Sequence, residues 1–447
     1  MHHDLRPLTP SDSAMSQAAT TVRYRVIGVS VLMAFILYLD RVCLGEIVKS
    51  ESFKADFDTP KERIGNILGA FFFTYALMQI PAGWASDRFG ARKMLPIYIV
   101  LWSLMTGLTG YATTLSGLLL ARLGCGVAQA GAYPTSGGVI RNWFPLESRS
   151  MASACVSFGG RLGGTLAPYI TTLLILQLGG WRMVLEIYFI IGILVAAVYW
   201  WVVRDTPSLH PRTNEAERSL IGKPIDNHRS SVRDILPMLY GCVCSRSLWL
   251  NSLGQFSVNI GWAFLITWLP TYLEETKGVE PLTGAAMVSG VLFVGMAGQL
   301  LGGFLGDWSV RRIGLRWGRV LPMSCPYFVA AFAYFLCPML DSVWLIVGCC
   351  AIVSLMTDIA NPSIWAFIQD VGGRNTSAIY GWANMWGNLG AALSAVMVPK
   401  LLRYGQSDGS GQTLVFIACS LAFLVAGISV LGIDATRLIQ RPKDRVA

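Results

Sequence analysis

Tyr38-Leu39-Asp40-Arg41 sets a carboxylate beside a guanidinium inside an apolar run that begins near Val26. With Arg25 as the edge of that run, Asp40 lies roughly 22 Å along a helix, past the centre of a ~30 Å hydrocarbon layer. Charge at that depth is rare and costly, so the pair marks a functional site; the alternative is an interfacial helix end from which Arg41 snorkels outward. Two further guanidinia, Arg122 and Arg161, also fall at membrane depth, and neither can shed its proton. A cavity that holds all three needs anions, and Asp40 neutralises one at most. A substrate carboxylate suits the surplus charge, because it meets a guanidinium with two parallel hydrogen bonds.

Other residues bear on this site. Gln129 lies seven residues, roughly 10 Å, beyond Arg122 on much the same helix face, and its neutral amide cannot balance a guanidinium. Arg161 stands among Gly159, Gly160, Gly163 and Gly164, where another helix or a ligand can come close to the backbone. It joins the anion site, or else packs against backbone carbonyls or pairs with Asp358. Asp358, near Pro362 and Trp365, is read as structural or as a second coupling site. Glu186 is expected to pair with Arg182 along one helix.

The elements that must position these side chains are transmembrane helices. At 53% hydrophobic and 14% charged residues, with mean hydropathy +0.52, the 447-residue chain is too apolar for an ordinary soluble domain. Twelve apolar stretches of spanning length run from 25–45 to 411–433. The net charge of +9 does not point to nucleic acid: most Lys and Arg outside the spans fall on one side if both termini share it, the bias of cytoplasmic loops. The expected layout is a cytoplasmic tail (1–24), an N-terminal six-helix bundle (25–203), a cytoplasmic linker (204–245), a C-terminal six-helix bundle (246–433) and a second cytoplasmic tail (434–447). Residues 1–24 have no apolar core, so no signal peptide is read there. The ten cysteines are read as small buried residues without metal or disulfide spacing. His2, His3, His210 and His228 lie in polar segments, so no metal or cofactor is expected.

The two halves echo one another. Gly83-x3-Asp87 closes the second span and Gly303-x3-Asp307 the eighth, followed by Arg88, Gly90, Arg92 and Lys93 in one case and Arg311 and Arg312 in the other. Glycine permits a close helix approach, while the carboxylate can pair with Arg88 or reach a neighbouring helix N-terminus, whose dipole favours an anion. Such a cluster can latch two helices in one conformational state. Internal repeats with a site between them are the build of many secondary transporters.

Gly83-x3-Asp87-Arg88-x-Gly90-x-Arg92-Lys93 resembles the loop signature of the major facilitator superfamily, and Arg122-x3-Gly126 its fourth-helix motif. Tyr38-Leu39-Asp40-Arg41, Tyr75-x3-Gln79-Ile80-Pro81-x-Gly83-Trp84, Arg204-Asp205-Thr206-Pro207-x2-His210-Pro211, Trp268-Leu269-Pro270 and Gly381-x2-Asn384-x2-Gly387-Asn388 resemble the anion:cation symporter family. That family includes bacterial sugar-acid and hexuronate permeases and animal sialic acid and vesicular glutamate carriers. The resemblance implies two rocking bundles in an inner (plasma) membrane, monomeric, carrying an organic anion with a proton. It places substrate contacts on Tyr38, Arg41, Tyr75, Arg122 and Asn384, and the proton on Asp40. The second acid of the sugar-acid permeases falls on Gln129, which leaves proton stoichiometry open and keeps a proton-independent uniporter or exchanger as the alternative. A polytopic enzyme or sensor would need a nucleophile–base pair, a metal cluster or an appended domain, and the sequence offers none.

Overall fold

The computed structural model describes residues 18–57, 59–222, 232–405 and 410–439. His2, His3 and His228, with most of both terminal tails, lie outside these residues. The first half holds α1 (Val22–Ile47), α2 (Lys61–Phe89), α3 (Ala91–Tyr111), α4 (Leu115–Gln129, continued as Ala132–Trp143), α5 (Arg149–Leu178) and α6 (Trp181–Val202). The second half holds α7 (Arg246–Ala263, continued as π-helical turns to Thr276), α8 (Pro281–Ile313), α9 (Leu315–Leu336), α10 (Val343–Val371), α11 (Thr376–Tyr404) and α12 (Gly411–Leu431). The result is an all-α membrane fold of twelve spans in two six-helix bundles.

Among the described residues, nine helices are long and apolar enough to cross a bilayer on length and composition alone. The remaining spans, α5, α7 and α11, have lower hydropathy for a structural reason. Their polar positions are enclosed by protein: Ser150, Ser153 and Ser157 on α5, Asn251, Ser252 and Gln255 on α7, Thr376, Ser377 and Ser394 on α11. Helices that face other helices do not need the uniformly apolar surface that lipid demands. Elsewhere large apolar side chains such as Phe73, Leu120, Trp201 and Phe293 point outward, as a lipid-facing surface requires.

On one face of the molecule, here termed the base, the segment after α6 is strapped to the first bundle. Gly90 turns from α2 into α3 at φ 91°, a left-handed conformation in which a Cβ would also strike the Asp205 carboxylate. Asp205 accepts from Arg92 N at 2.8 Å and so caps α3, while its own carbonyl accepts from Asn142 Nδ2 at 3.1 Å. Trp143 Nε1 donates to Arg204 O at 2.8 Å. Further on, the helix Glu215–Ile221 buries Glu217 completely, and that carboxylate accepts from the backbone N–H groups of Val22 and Arg23 at the start of α1. His210 lies edge-on to Trp143, and its imidazole is held below the usual histidine range by partial burial and then by Arg204. At the opposite face Arg182 pairs with Asp56 at 3.1 Å rather than with Glu186. The tertiary partner displaces the local one because Asp56 sits where the Trp181 indole N–H is also bonded.

Candidate functional site

Successive helix residues point about 100° apart, and Asp40 and Arg41 accordingly face different neighbours. Arg41 Nε donates to Gln129 Oε1 at 3.2 Å, and its Cζ lies 4.9 Å from the Tyr38 ring centre, 5.1 Å from that of Phe71 and 4.6 Å from that of Tyr75. Asp40 turns toward Arg122 and Trp102; it is 2% exposed and neither carboxylate oxygen has a hydrogen-bond partner among the described residues. Arg122 is equally enclosed, with Nε unpartnered and Cζ 5.0 Å from Phe71. Phe71 therefore serves both guanidinia, one turn before Tyr75 on α2. Ring faces attract cations by about 0.5–2 kcal/mol each, which orients the guanidinia without neutralising them.

The second bundle closes the site from across the molecular midline. Asn384 Nδ2 of α11 donates to Tyr75 Oη at 3.4 Å. Arg161 of α5 pairs with Asp358 of α10, Nη2 to Oδ1 at 2.6 Å, and Gln299 Nε2 of α8 donates to the same oxygen at 2.9 Å. Arg161 Cζ stands 4.5 Å from the Trp262 ring of α7. The contacts that bridge the bundles here are thus Tyr75 to Asn384 and Arg161 to Asp358 and Trp262, whereas Asp40, Arg122 and Gln129 are buried within the first bundle and Tyr38 lies against Arg41.

Below these contacts the base is shut by two related latches. Asp87, near the end of α2, accepts from Ser377 N at 3.0 Å and Ala378 N at 2.9 Å in the first turn of α11. Asp307 of α8 accepts from Ser150 N at 3.0 Å and Met151 N at 2.9 Å in the first turn of α5. Each carboxylate satisfies two orphan N–H groups at the positive end of a helix dipole in the other bundle. The glycine four residues earlier makes room: a Cβ on Gly83 would come within 2.8 Å of Ala378 Cα, and one on Gly303 within 3.0 Å of Met151 Cα. Trp365 and Tyr380 stack at 4.2 Å about one turn further along α11.

The basic residues of the repeat are placed differently from one another. Arg88 lies over Trp84 and Phe89, Arg92 over Trp200, and Arg311 and Arg312 are exposed. A fully buried Arg319 of α9 stands at the second latch instead. It donates to Asp370 Oδ2 at 2.8 Å, Ser150 Oγ at 2.6 Å and Leu146 O at 2.7 Å, with Asp307 at 3.7 Å. Arg149 pairs with the other Asp370 oxygen at 2.7 Å. Arg319, Asp370, Arg149, Phe71, Trp262 and Gln299 were not selected from the sequence. For Phe71 a signal existed in its spacing from Tyr75; the others are joined only across long stretches of chain.

Two helical bundles, buried guanidinia on the first of them and paired helix-capping latches between them fit a membrane transporter. The chain belongs to the Major Facilitator Superfamily, whose model matches residues 30–395. Similar proteins are the probable sulfoacetate transporter of Cupriavidus necator, 28% identical over 92% of each chain, and the probable galactarate/D-glucarate transporter of Escherichia coli, 26% identical over 96% of this chain and 99% of that one. The D-galactonate transporter of Escherichia coli is 27% identical over 92% of this chain and 95% of its own length. In fold, the chain superposes on the human organic anion transporter MFSD10 with a TM-score of 0.70 at 15% identity, covering 92% of this chain and all of that one, 100%. It is also similar to the Escherichia coli fucose:proton symporter, TM-score 0.65 at 15% identity, with 92% and 98% covered.

Proposed function

We propose that the chain imports a small organic anion, a sugar acid of the hexuronate, aldonate or aldarate type, by proton symport with alternating access. The observation that carries this reading is the pair Arg41 and Arg122, two guanidinia that share Phe71 and form no ion pair among the described residues. Their planar donors suit a carboxylate, and Tyr38, Tyr75, Gln129 and Asn384 offer hydrogen bonds to the hydroxyls of a sugar chain. The named relatives, transporters of small organic acids, support the same substrate class.

Asp40 is the proton carrier in this reading. It faces Arg122, so a substrate carboxylate that engages Arg122 takes counter-charge from Asp40 and favours its protonation; by linkage the proton strengthens anion binding by the same factor. Gln129 supplies no second acid beside Arg41, which favours one proton per anion. The base, rich in Lys and Arg, is cytoplasmic, as are both termini, and the protein is a monomer spanning the plasma membrane. With both latches made, the cytoplasmic side is closed.

Uptake into proteoliposomes tests the reading. Arg41→Lys keeps the charge but loses the planar fork, and is expected to lower uptake at least tenfold with normal membrane insertion. A pH gradient should drive uptake in the wild type and not in Asp40→Asn. Uptake indifferent to both would instead support the proton-independent uniporter or exchanger. A substrate-induced inward positive current with a monocarboxylate would require a second proton site, for which Asp358 is the candidate.

A further inference from the structure

We propose that Arg161 is a second anion subsite that selects dianionic cargo, with Asp358 as an internal carboxylate that one end of the cargo displaces. The proposal rests on the organic-anion reading above and adds to it the charge of the cargo.

Arg161 differs from the other two intramembrane guanidinia. One nitrogen, Nη2, bonds Asp358, and among the described residues no other hydrogen bond from its guanidinium is present. Among the described residues, Nη2 of Arg41 and Nε of Arg122 are sealed from solvent without partners, whereas the Arg161 side chain is 23% exposed and lies beside Asp358 and Trp262 of the other bundle. Asp358 engages Nη2 alone, whereas a carboxylate that replaces it can meet the planar guanidinium with two parallel hydrogen bonds. Trp262 holds the group in place from one side, as Tyr38 and Tyr75 hold Arg41.

Tyr38 and Tyr133 lie between Arg41 and the α5 backbone at Arg161. Tyr38 contacts the Arg41 guanidinium and meets Tyr133 edge-on at 6.2 Å. Gly160, next to Arg161, lets α5 lie against both: a Cβ there would come within 2.9 Å of the Tyr38 ring and collide with the Tyr133 hydroxyl. A molecule with an anionic group at each end can therefore reach Arg41 and Arg161 across two phenolic hydroxyls.

Asp358 already shows what the subsite accepts. Its carboxylate is 3% exposed, lies against the Arg161 guanidinium, and is steadied from behind by Gln299, which is in turn bonded by Asn361. Exchange of this carboxylate for that of a cargo keeps the buried guanidinium paired, which an empty site could not do. It also unties α5 from α10, because the two members of the pair belong to different bundles. The charge count agrees: with Asp40 protonated, Arg41, Arg122 and Arg161 stand against Asp358 alone, so a dianion leaves the loaded site neutral and a monoanion does not.

Binding of D-glucarate and D-gluconate, which share a carbon skeleton and differ in one carboxylate, tests this on the full-length protein in detergent. The wild type should bind glucarate at least tenfold more tightly than gluconate. Arg161→Gln should weaken glucarate ten- to a hundredfold more than gluconate, and Asp358→Asn should strengthen glucarate by removing its internal competitor. Arg161→Gln leaves Asp358 without its cation, so the double variant Arg161→Gln/Asp358→Asn, which removes the pair together, guards against misfolding and should lose the glucarate preference. Equal binding of the two ligands by the wild type, or a double variant that keeps the preference, overturns the subsite while leaving the organic-anion reading standing. Failure to bind either ligand, or any other sugar acid, overturns both.

Discussion

The two latches share a backbone device and differ in the ion pairs around it. In each, a carboxylate four residues after a glycine caps the first turn of a helix from the other bundle. Position by position the surroundings part. Arg319 lies five residues after Gly314, and the residue five after Gly90 is the buried Leu95. Arg149 precedes the N–H groups held by Asp307, where Thr376 precedes those held by Asp87. The repeat thus retains what helix geometry requires, a small residue and an acceptor, while the Arg319–Asp370–Arg149 network belongs to one latch only. The α2–α11 contact should accordingly be the first to yield when the base opens, and the α5–α8 contact the last.

The largest effect is expected from Asp370→Asn. It leaves the fully buried Arg319 and the neighbouring Arg149 short of their shared counter-charge, a loss of about 3–5 kcal/mol for a buried pair deprived of one member. Thermal denaturation in detergent should show it, and a melting curve like that of the wild type would remove the network from the stability account. Arg319→Leu copies the Leu95 arrangement and keeps Asp370 paired with Arg149. It should cost less, about 1–3 kcal/mol for the acceptors left unpaired.

Asp87→Asn and Asp307→Asn separate the latches themselves. Cysteine labelling from the base should rise about tenfold for Asp87→Asn, a population shift of about 1.4 kcal/mol, and by less for Asp307→Asn, where Arg319 still grips Ser150 and Leu146. Equal labelling of the two would end the asymmetry. At the small end, Arg311→Gln changes an exposed side chain and should alter stability by no more than about 0.5 kcal/mol.

What the sequence disclosed and what it concealed divides along the range of the interactions. Asp40, Arg41, Arg122 and Gln129 stand out because charge and amide groups at membrane depth are conspicuous one residue at a time. Asp87 and Asp307 stand out because the same spacing recurs in both halves. Arg319 and Asp370 do not: near the membrane face they look like ordinary polar ends of spans, and their meeting depends on how α9 and α10 pack. Which guanidinium Asp40 faces was not legible either, since neighbours on a helix diverge and Asp40 faces Arg122 of a different helix. The low hydropathy of α5, α7 and α11 carried information as well, marking the helices that other helices enclose.

The three guanidinia of the site all lie on one bundle, and α5 is pressed against α1 where Gly159 and Gly163 meet the carbonyls of Val31 and Phe35. In the proposed function the groups that engage the charge of the cargo are thereby fixed in one frame, while the second bundle contributes Asn384, Asp358 and Trp262. Such a division separates two kinds of inheritance. A lineage could exchange one cargo for another by substitutions confined to the first half of the gene, without retuning the swing of the second, and a chimera joining this first half to a relative's second half should keep the first parent's taste in anions.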